Sequence, residues 1–309
     1  MRTGRNTILL IMLLLVFCPF LSGCEAEESP YAAAVRLYGE EKYTEAEPLF
    51  ITALDSDPNN ATLKLGHAYN LIELDKINNA LDELIAVQDS FADESIKLSL
   101  RKTIVDLYLT QNNLAGAARV YEELAGITAD PSAQDSYLAL ASTIRADIYR
   151  EKGDEANLKK ELRKLITVKT FADKEYYELY SLALASGERA ERLALADEII
   201  AYMTGHSSYI SEYSGFLSVI FDAADVASYT EWTKKSEDYF LTAEDIIAKA
   251  EGAGITENQA LKYKVIIAER RGKTEVAYKL LGVYLNHCPD DEYALKEMDY
   301  LGNRLGLAE

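Results

Sequence analysis

Between Tyr31 and Val87 the chain repeats itself at a spacing of 34 residues, so that Ala46, Phe50 and Ala53 return as Ala80, Leu84 and Val87. Self-similarity at that period marks an array of stacked supersecondary units rather than a closed globule. Each unit reads as a helical hairpin. Ala46 and Ala80 are small enough to let two helices approach closely, and Phe50 and Leu84, one turn on, fill the space so made. Thr44 and Glu47 have the spacing of a capping box at the start of the second helix. That start brings Pro48 close to the first turn, where a missing amide hydrogen costs least. Pro58 ends the helix, because the residue before a proline avoids the helical region.

With Tyr43, Ala46, Phe50, Ala53 and Pro58 in the first copy, and Ala68, Ile77 and Ala80 in the second, the pattern resembles the tetratricopeptide repeat (TPR) family. The resemblance implies a right-handed superhelical solenoid of antiparallel helix hairpins closed by a C-terminal capping helix. Clear copies span 31–92, 95–128 and 258–289; weaker ones fill 136–254, and 291–305 is the cap. Gly272, Ala277, Leu281 and Pro289 lie 231 residues beyond Glu41, Ala46, Phe50 and Pro58, so the last copy keeps the register of the first. In the third copy Asn112 stands where the family has glycine, and in the fourth Leu158 replaces the small alanine. From Thr204 to Gly254 the pattern fades into long amphipathic stretches, read as one enlarged hairpin. In the cap, Tyr293, Leu295, Met298 and Leu301 are expected to face inward. Helical periodicity dominates from residue 31 onward, with only 16 Gly and 6 Pro in 309 residues, so the class is all-α.

The N-terminus has another purpose. Arg2 and Arg5 precede an uncharged run from Thr7 to Leu21, too short for an ordinary membrane-spanning helix and fitting a secretory signal over 1–23. Leu21-Ser22-Gly23-Cys24 resembles the bacterial lipobox. That resemblance implies cleavage before Cys24, lipidation of its thiol, and attachment to the membrane on the extracytoplasmic side, in the periplasm or at the cell exterior. Two or three acyl chains, at ~0.8 kcal/mol per buried methylene, hold a protein stably. The acidic tether from Cys24 to Pro30 reaches about 20 Å at ~3.5 Å per residue, which keeps the repeats near the membrane. Cys18 leaves with the signal, so Cys288 is the one free thiol and is expected to pack as a small apolar residue.

Charge narrows the partners. The 51 acidic and 32 basic residues leave a net charge of −19. Nucleic acid demands Lys and Arg against its phosphates, and anionic lipid headgroups do the same, so neither is an expected partner. A solvated exterior accounts for the charge, and a groove for cationic partners is the sharper reading.

No site of chemistry emerges. His67, His206 and His287 pair with nothing at ligand spacing, so no metal or cofactor is expected. Asp55 to Asn59 resembles the start of a calcium loop, but Asn60 and Gly66 occupy the positions that need Gly and Glu. No phosphate loop, nucleophile elbow or zinc-protease helix is present, and the chain is read as a non-enzyme. The reading from another class is an α/α-toroid enzyme or a carbohydrate-binding protein; the single Trp232 argues against a sugar-stacking platform, no acids recur at corresponding inward positions, and loss of a hydrolytic activity on mutating Asp106 and Asp147 would revive it.

Binding remains. In the TPR family the concave wall is lined by the first helix of each repeat. Carrying those positions over gives Tyr31, Val35 and Tyr38; then Leu65, Tyr69, Ile72 and Glu73; Lys102, Asp106 and Leu109; Thr143, Asp147 and Arg150; and Tyr177. Tyr31 and Val35 stand where a peptide-carboxylate clamp would place Lys and Asn, so that clamp is not expected. The implied function is a membrane-anchored scaffold or adaptor for a peptide or protein at the cell envelope. A narrower version is assembly of envelope machinery, of the β-barrel or pilus kind.

Overall fold

The computed structural model describes residues 28–205, 213–229, 233–253 and 255–307. The signal segment, Cys24, His206 and Trp232 lie outside them. Among the described residues there are fifteen α-helices and no strand, in two compact units that divide after Phe171.

The first unit holds four hairpins. They are α1 (Pro30–Gly39) with α2 (Tyr43–Ser56), α3 (Ala61–Glu73) with α4 (Ile77–Val87), α5 (Glu94–Thr110) with α6 (Leu114–Ile127), and α7 (Pro131–Lys152) with α8 (Glu155–Val168). Each hairpin leans on the next through α2–α3, α4–α5 and α6–α7, and α1 also touches α3. A side chain caps every first helix: Ser29, Asn60, Asp93 and Asp130 accept bonds from amides of the opening turn. Asn60 takes two, from Thr62 at 3.0 Å and Leu63 at 3.3 Å, while its own amide donates to Asp57. The stretch that resembled a calcium loop is therefore an inter-repeat turn.

In the first unit the link inside each hairpin is a Schellman closure. At the first, the Glu41 amide donates to Tyr38 O at 3.0 Å and the Lys42 amide to Leu37 O at 2.9 Å, with Glu41 left-handed at φ 63°. The same pair of bonds recurs at Asp75/Lys76, Asn112/Asn113, Gly153/Asp154, Gly272/Lys273 and, after the last helix, Gly306/Leu307. The first three turns hold this conformation without glycine, at about 1 kcal/mol of strain each. The turn feeds the chain straight into the second helix, with Lys42 at the N-cap and no side-chain bond. The expected Thr44–Glu47 capping box is thus not used, and Pro48 lies inside α2 rather than near its first turn.

Packing follows the repeat. Ala46, Ala80 and Ala117 are fully buried, as are Phe50, Leu84 and Leu124, within one continuous apolar cluster. Leu158 is buried where alanine was the norm. Gly66 lies under two rings, since a Cβ there would stand 2.9 Å from both Phe50 and Tyr31. His67 is buried, its Nδ1 2.8 Å from Glu83, so it serves the junction of α3 and α4.

The second unit holds α9 (Asp173–Ser186) with α10 (Arg189–Gly205), α11 (Tyr213–Tyr229) with α12 (Thr233–Ala253), α13 (Glu257–Arg270) with α14 (Thr274–His287), and α15 (Glu292–Leu305). The hairpin expected to be enlarged, α11–α12, has helices of 17 and 21 residues, but it does not stand apart, since α7 has 22 and α5 and α10 have 17 each. Polar staples appear here. Asp222 on α11 accepts from the Tyr180 hydroxyl and twice from the Arg192 guanidinium. Asp197 accepts from Tyr239 at 2.7 Å and Lys235 at 2.8 Å. The Arg271 side chain, 7% exposed, bonds Glu237 and Glu244 and stacks over Phe240.

The cap corrects one expectation. Ala294, Leu301 and Gly302 face inward with Met298 half-buried, whereas Tyr293 is 86% exposed and Leu295 lies outside. Asp291 caps the helix at its own position and fixes the start, and the 3.6-residue period from Ala294 then selects Met298 and Leu301. Cys288 is half-buried against the last hairpin and accepts a bond from Asn258 at 3.2 Å.

Candidate functional site

The positions carried over for the groove separate into two sets. In the first two hairpins most belong to the core. Val35, Tyr38, Leu65 and Tyr69 are between 2% and 7% exposed. Tyr38 packs edge-on to Tyr43 with centroids 5.3 Å apart. Burial raises the Tyr69 phenol, which also shares a bond with Thr103 on α5. Tyr31 is half-buried with its ring edge-on to Phe50 at 6.0 Å, its hydroxyl directed at Thr62 O, and its pKa pushed up to about 12 by burial. Contacts of α1 with α3, and of α3 with α5, have absorbed these side chains. Ile72 is half-buried and Glu73 exposed at the end of α3.

The third and fourth hairpins differ. Lys102, Asp106 and Leu109 on α5, and Thr143, Asp147 and Arg150 on α7, are all exposed. Asp147 pairs with Arg150 one turn along, an exposed ion pair of small energetic weight. Leu109 is 39% exposed and Leu140, a turn before Thr143, is 44% exposed, two large apolar groups on consecutive first helices. Tyr177 belongs to the second unit, where its ring packs against Phe216 with centroids 4.9 Å apart and covers Gly215. It is a packing residue of α9 and α11.

Two aromatic residues were not among the groove positions carried over from the sequence, Tyr121 having been read only as a packing position of the third copy. Tyr121 on α6 and Tyr137 on α7 lie with rings nearly parallel, 26° apart and 6.2 Å between centroids. The Tyr121 phenol is raised by burial and by the nearby charges of Asp106 and Tyr137. Asp106 itself is raised by desolvation. The available signal was Tyr121 standing where Phe50 and Leu84 stand in earlier copies, a hydroxyl added to a core position. Nothing marked Leu140.

Elsewhere, a cleft of about 320 Å³ in the second unit is lined by Ile267, Ala268, Val276 and Leu280 with Lys264, Arg271, Lys273 and Glu244. Its charges are largely internal pairs, Lys264 with Glu251 and Arg271 with Glu237 and Glu244. Among the described residues no group of three His, Cys, Asp or Glu side chains has the geometry to hold a metal ion, and no helix is long and apolar enough to cross a membrane.

No protein-family model matches the chain, and no curated protein matches it in sequence. Among solved structures it is similar to the C-terminal part of a TPR repeat-containing protein from Cytophaga hutchinsonii, at 15% identity over 85% of this chain and 97% of that one, with a TM-score of 0.42. A tetratricopeptide repeat protein from Parabacteroides merdae is 12% identical over 89% and 98% of the two chains, with a TM-score of 0.33. PilW, described as a widely conserved type IV pilus biogenesis factor, is 14% identical over 89% and 100%, with a TM-score of 0.27. Likenesses this distant carry no functional weight. Recurrent turns and alanine-lined helix contacts make the described residues all-α, with TPR-like helical hairpins stacked in the first unit.

Proposed function

We propose that this chain is a non-enzymatic adaptor, anchored by lipid at Cys24 on the extracytoplasmic side of a bacterial membrane, that holds an extended protein segment on α5 and α7. One observation carries the reading: two successive first helices expose mixed apolar and charged side chains, Lys102, Asp106 and Leu109 on α5 and Leu140, Thr143 and Asp147 on α7. Apolar groups supply the burial energy of a contact and interspersed charges supply orientation. The anchor rests on the Leu21-Ser22-Gly23-Cys24 sequence.

Photo-crosslinking in cells tests it. A photoreactive residue at Leu109 or Thr143 should trap one discrete partner, whereas one at Ile51, exposed on second helix α2, should not. Equal trapping at all three positions would remove α5 and α7 from the account. Cys24→Ala should release the protein from the membrane fraction. Retention of that variant would end the lipid-anchor reading.

A further inference from the structure

The last helix departs from what the end of a stacked array needs. A terminal helix has no further repeat to cover it, so a polar outer face keeps the array soluble. On α15 the face turned away from Ala294 and Leu301 instead carries Tyr293, Lys296, Tyr300 and Arg304, with Leu307 just beyond. Tyr293 and Tyr300 are 86% and 54% exposed, and Leu307 is 59% exposed. Spacings of three, four and four residues set the first four side chains in one stripe. Each cation lies over a ring of its own helix: Lys296 Nζ is 5.8 Å from the Tyr293 centroid, and the Arg304 guanidinium is 5.7 Å from that of Tyr300. Glu297, the acid closest to the stripe, is hydrogen-bonded to Glu269 on α13.

We propose that this stripe is the contact through which two copies of the chain pair, α15 against α15 in antiparallel register. The order of the side chains carries the inference, because it is its own complement when reversed about Met298. Tyr293 stands five residues before that point and Arg304 six after; Lys296 stands two before and Tyr300 two after. A two-fold axis at that level lays each cation of one copy against a ring of the other, and a ring attracts a cation on either face. The flanking acids agree with this register. Glu292 comes opposite Arg304 of the second copy, and Asp299 opposite Lys296 of the second copy. A parallel pairing would set lysine on lysine and arginine on arginine, which like charge opposes. Chains of net charge −19 repel one another at a distance, so an acid-poor stripe is the place where two of them can meet. The proposal needs nothing from the adaptor reading, since α5 and α7 belong to the other unit.

Sedimentation equilibrium of the mature, unacylated chain under reducing conditions tests this. A contact one helix wide belongs with the weak interfaces, so the wild type should pass from monomer to dimer with a Kd of about 10–100 µM. Tyr300→Ser removes two ring–cation contacts by symmetry and should weaken pairing about tenfold. Helix content and melting temperature should not change in that variant, because the ring is exposed. Tyr300→Lys sets lysine against Lys296 and should weaken pairing at least as much. Adding Lys296→Tyr to Tyr300→Lys exchanges the two partners and should restore the Kd to within about threefold of wild type. Lys249→Glu, on exposed α12 surface, should leave the Kd within about twofold. A chain that stays monomeric well above that range overturns the proposal. So does a dimer indifferent to the Tyr300 substitutions, or one that the exchange fails to restore. A monomer whose sedimentation with phosphatidylcholine vesicles depends on Tyr293 and Tyr300 would give the stripe to a lipid surface and equally end the pairing.

Discussion

The two units solve one packing problem by different means. In the first, hairpins meet through small residues and a continuous apolar cluster running from Ala34 to Leu124. In the second, where the repeat motif fades between α9 and α12, helices are also joined by partly buried charges: Asp222 with Arg192 and Tyr180, Asp197 with Tyr239 and Lys235, Arg271 with two glutamates. The first unit has such bridges too, Arg101 with Asp89 and Glu123 and Arg145 with Glu122, but there they accompany an apolar cluster that runs on from hairpin to hairpin. Apolar packing tolerates gradual change, whereas an ion network depends on every member.

Substitutions that strike each device break or sharpen this contrast. Phe50→Ala should cost the first unit about 4 kcal/mol through the cavity it opens between α1, α2 and α3. Hydrogen exchange should report the loss in α1 to α4 and leave α9 to α15 as protected as before. Asp222→Ala should cost the second unit about 3 kcal/mol, because Arg192 and Tyr180 lose their shared acceptor. Asp222→Ala with Arg192→Met should recover a large part of that loss; full additivity of the two changes would show that the staple has no collective character.

A smaller effect separates the turns. Glu41→Gly and Asp75→Gly should each raise stability by about 0.5–1 kcal/mol by relieving the left-handed strain, measured by denaturant titration. Gly272→Ala, at φ 70° in the second unit, should do the reverse.

A further effect is one of pH. Burial, a shared hydrogen bond and the charge of Glu297 on α15 push the Glu269 carboxyl up to about 7. A raised carboxyl binds its proton more tightly in the folded state. Docking of α15 on the last hairpin should therefore be strongest below the ordinary value of 4.5 and weaken as pH rises through 7. Glu269→Gln should flatten that dependence in melts between pH 5 and 8, and an unchanged slope would clear the pair of any such role.

The same contrast governs how much could be read in advance. Hairpin spacing, the buried alanines and Phe50, and the register shared by Glu41 and Gly272 were legible because each has a local physical cause. The groove was legible only as a face. A position numbered from the motif does not show whether the next first helix will cover it, and α3 and α5 covered Tyr31 and Tyr69. Long-range pairs such as Asp222 with Arg192, thirty residues apart, leave no spacing signal at all. The cap went astray at Tyr293 because a helix of 14 residues admits more than one inward stripe until its start is fixed by Asp291.

The central claim is that the exposed face of α5 and α7 is where another protein lies. Amide hydrogen exchange of the mature chain, with and without the segment trapped at Leu109, measures this most directly. The account predicts added protection in α5 and α7, centred near Asp106 and Thr143, with α6 and α8 unchanged. Protection confined to α6 and α8, or to the cleft beside Val276 and Leu280 in the second unit, would contradict it.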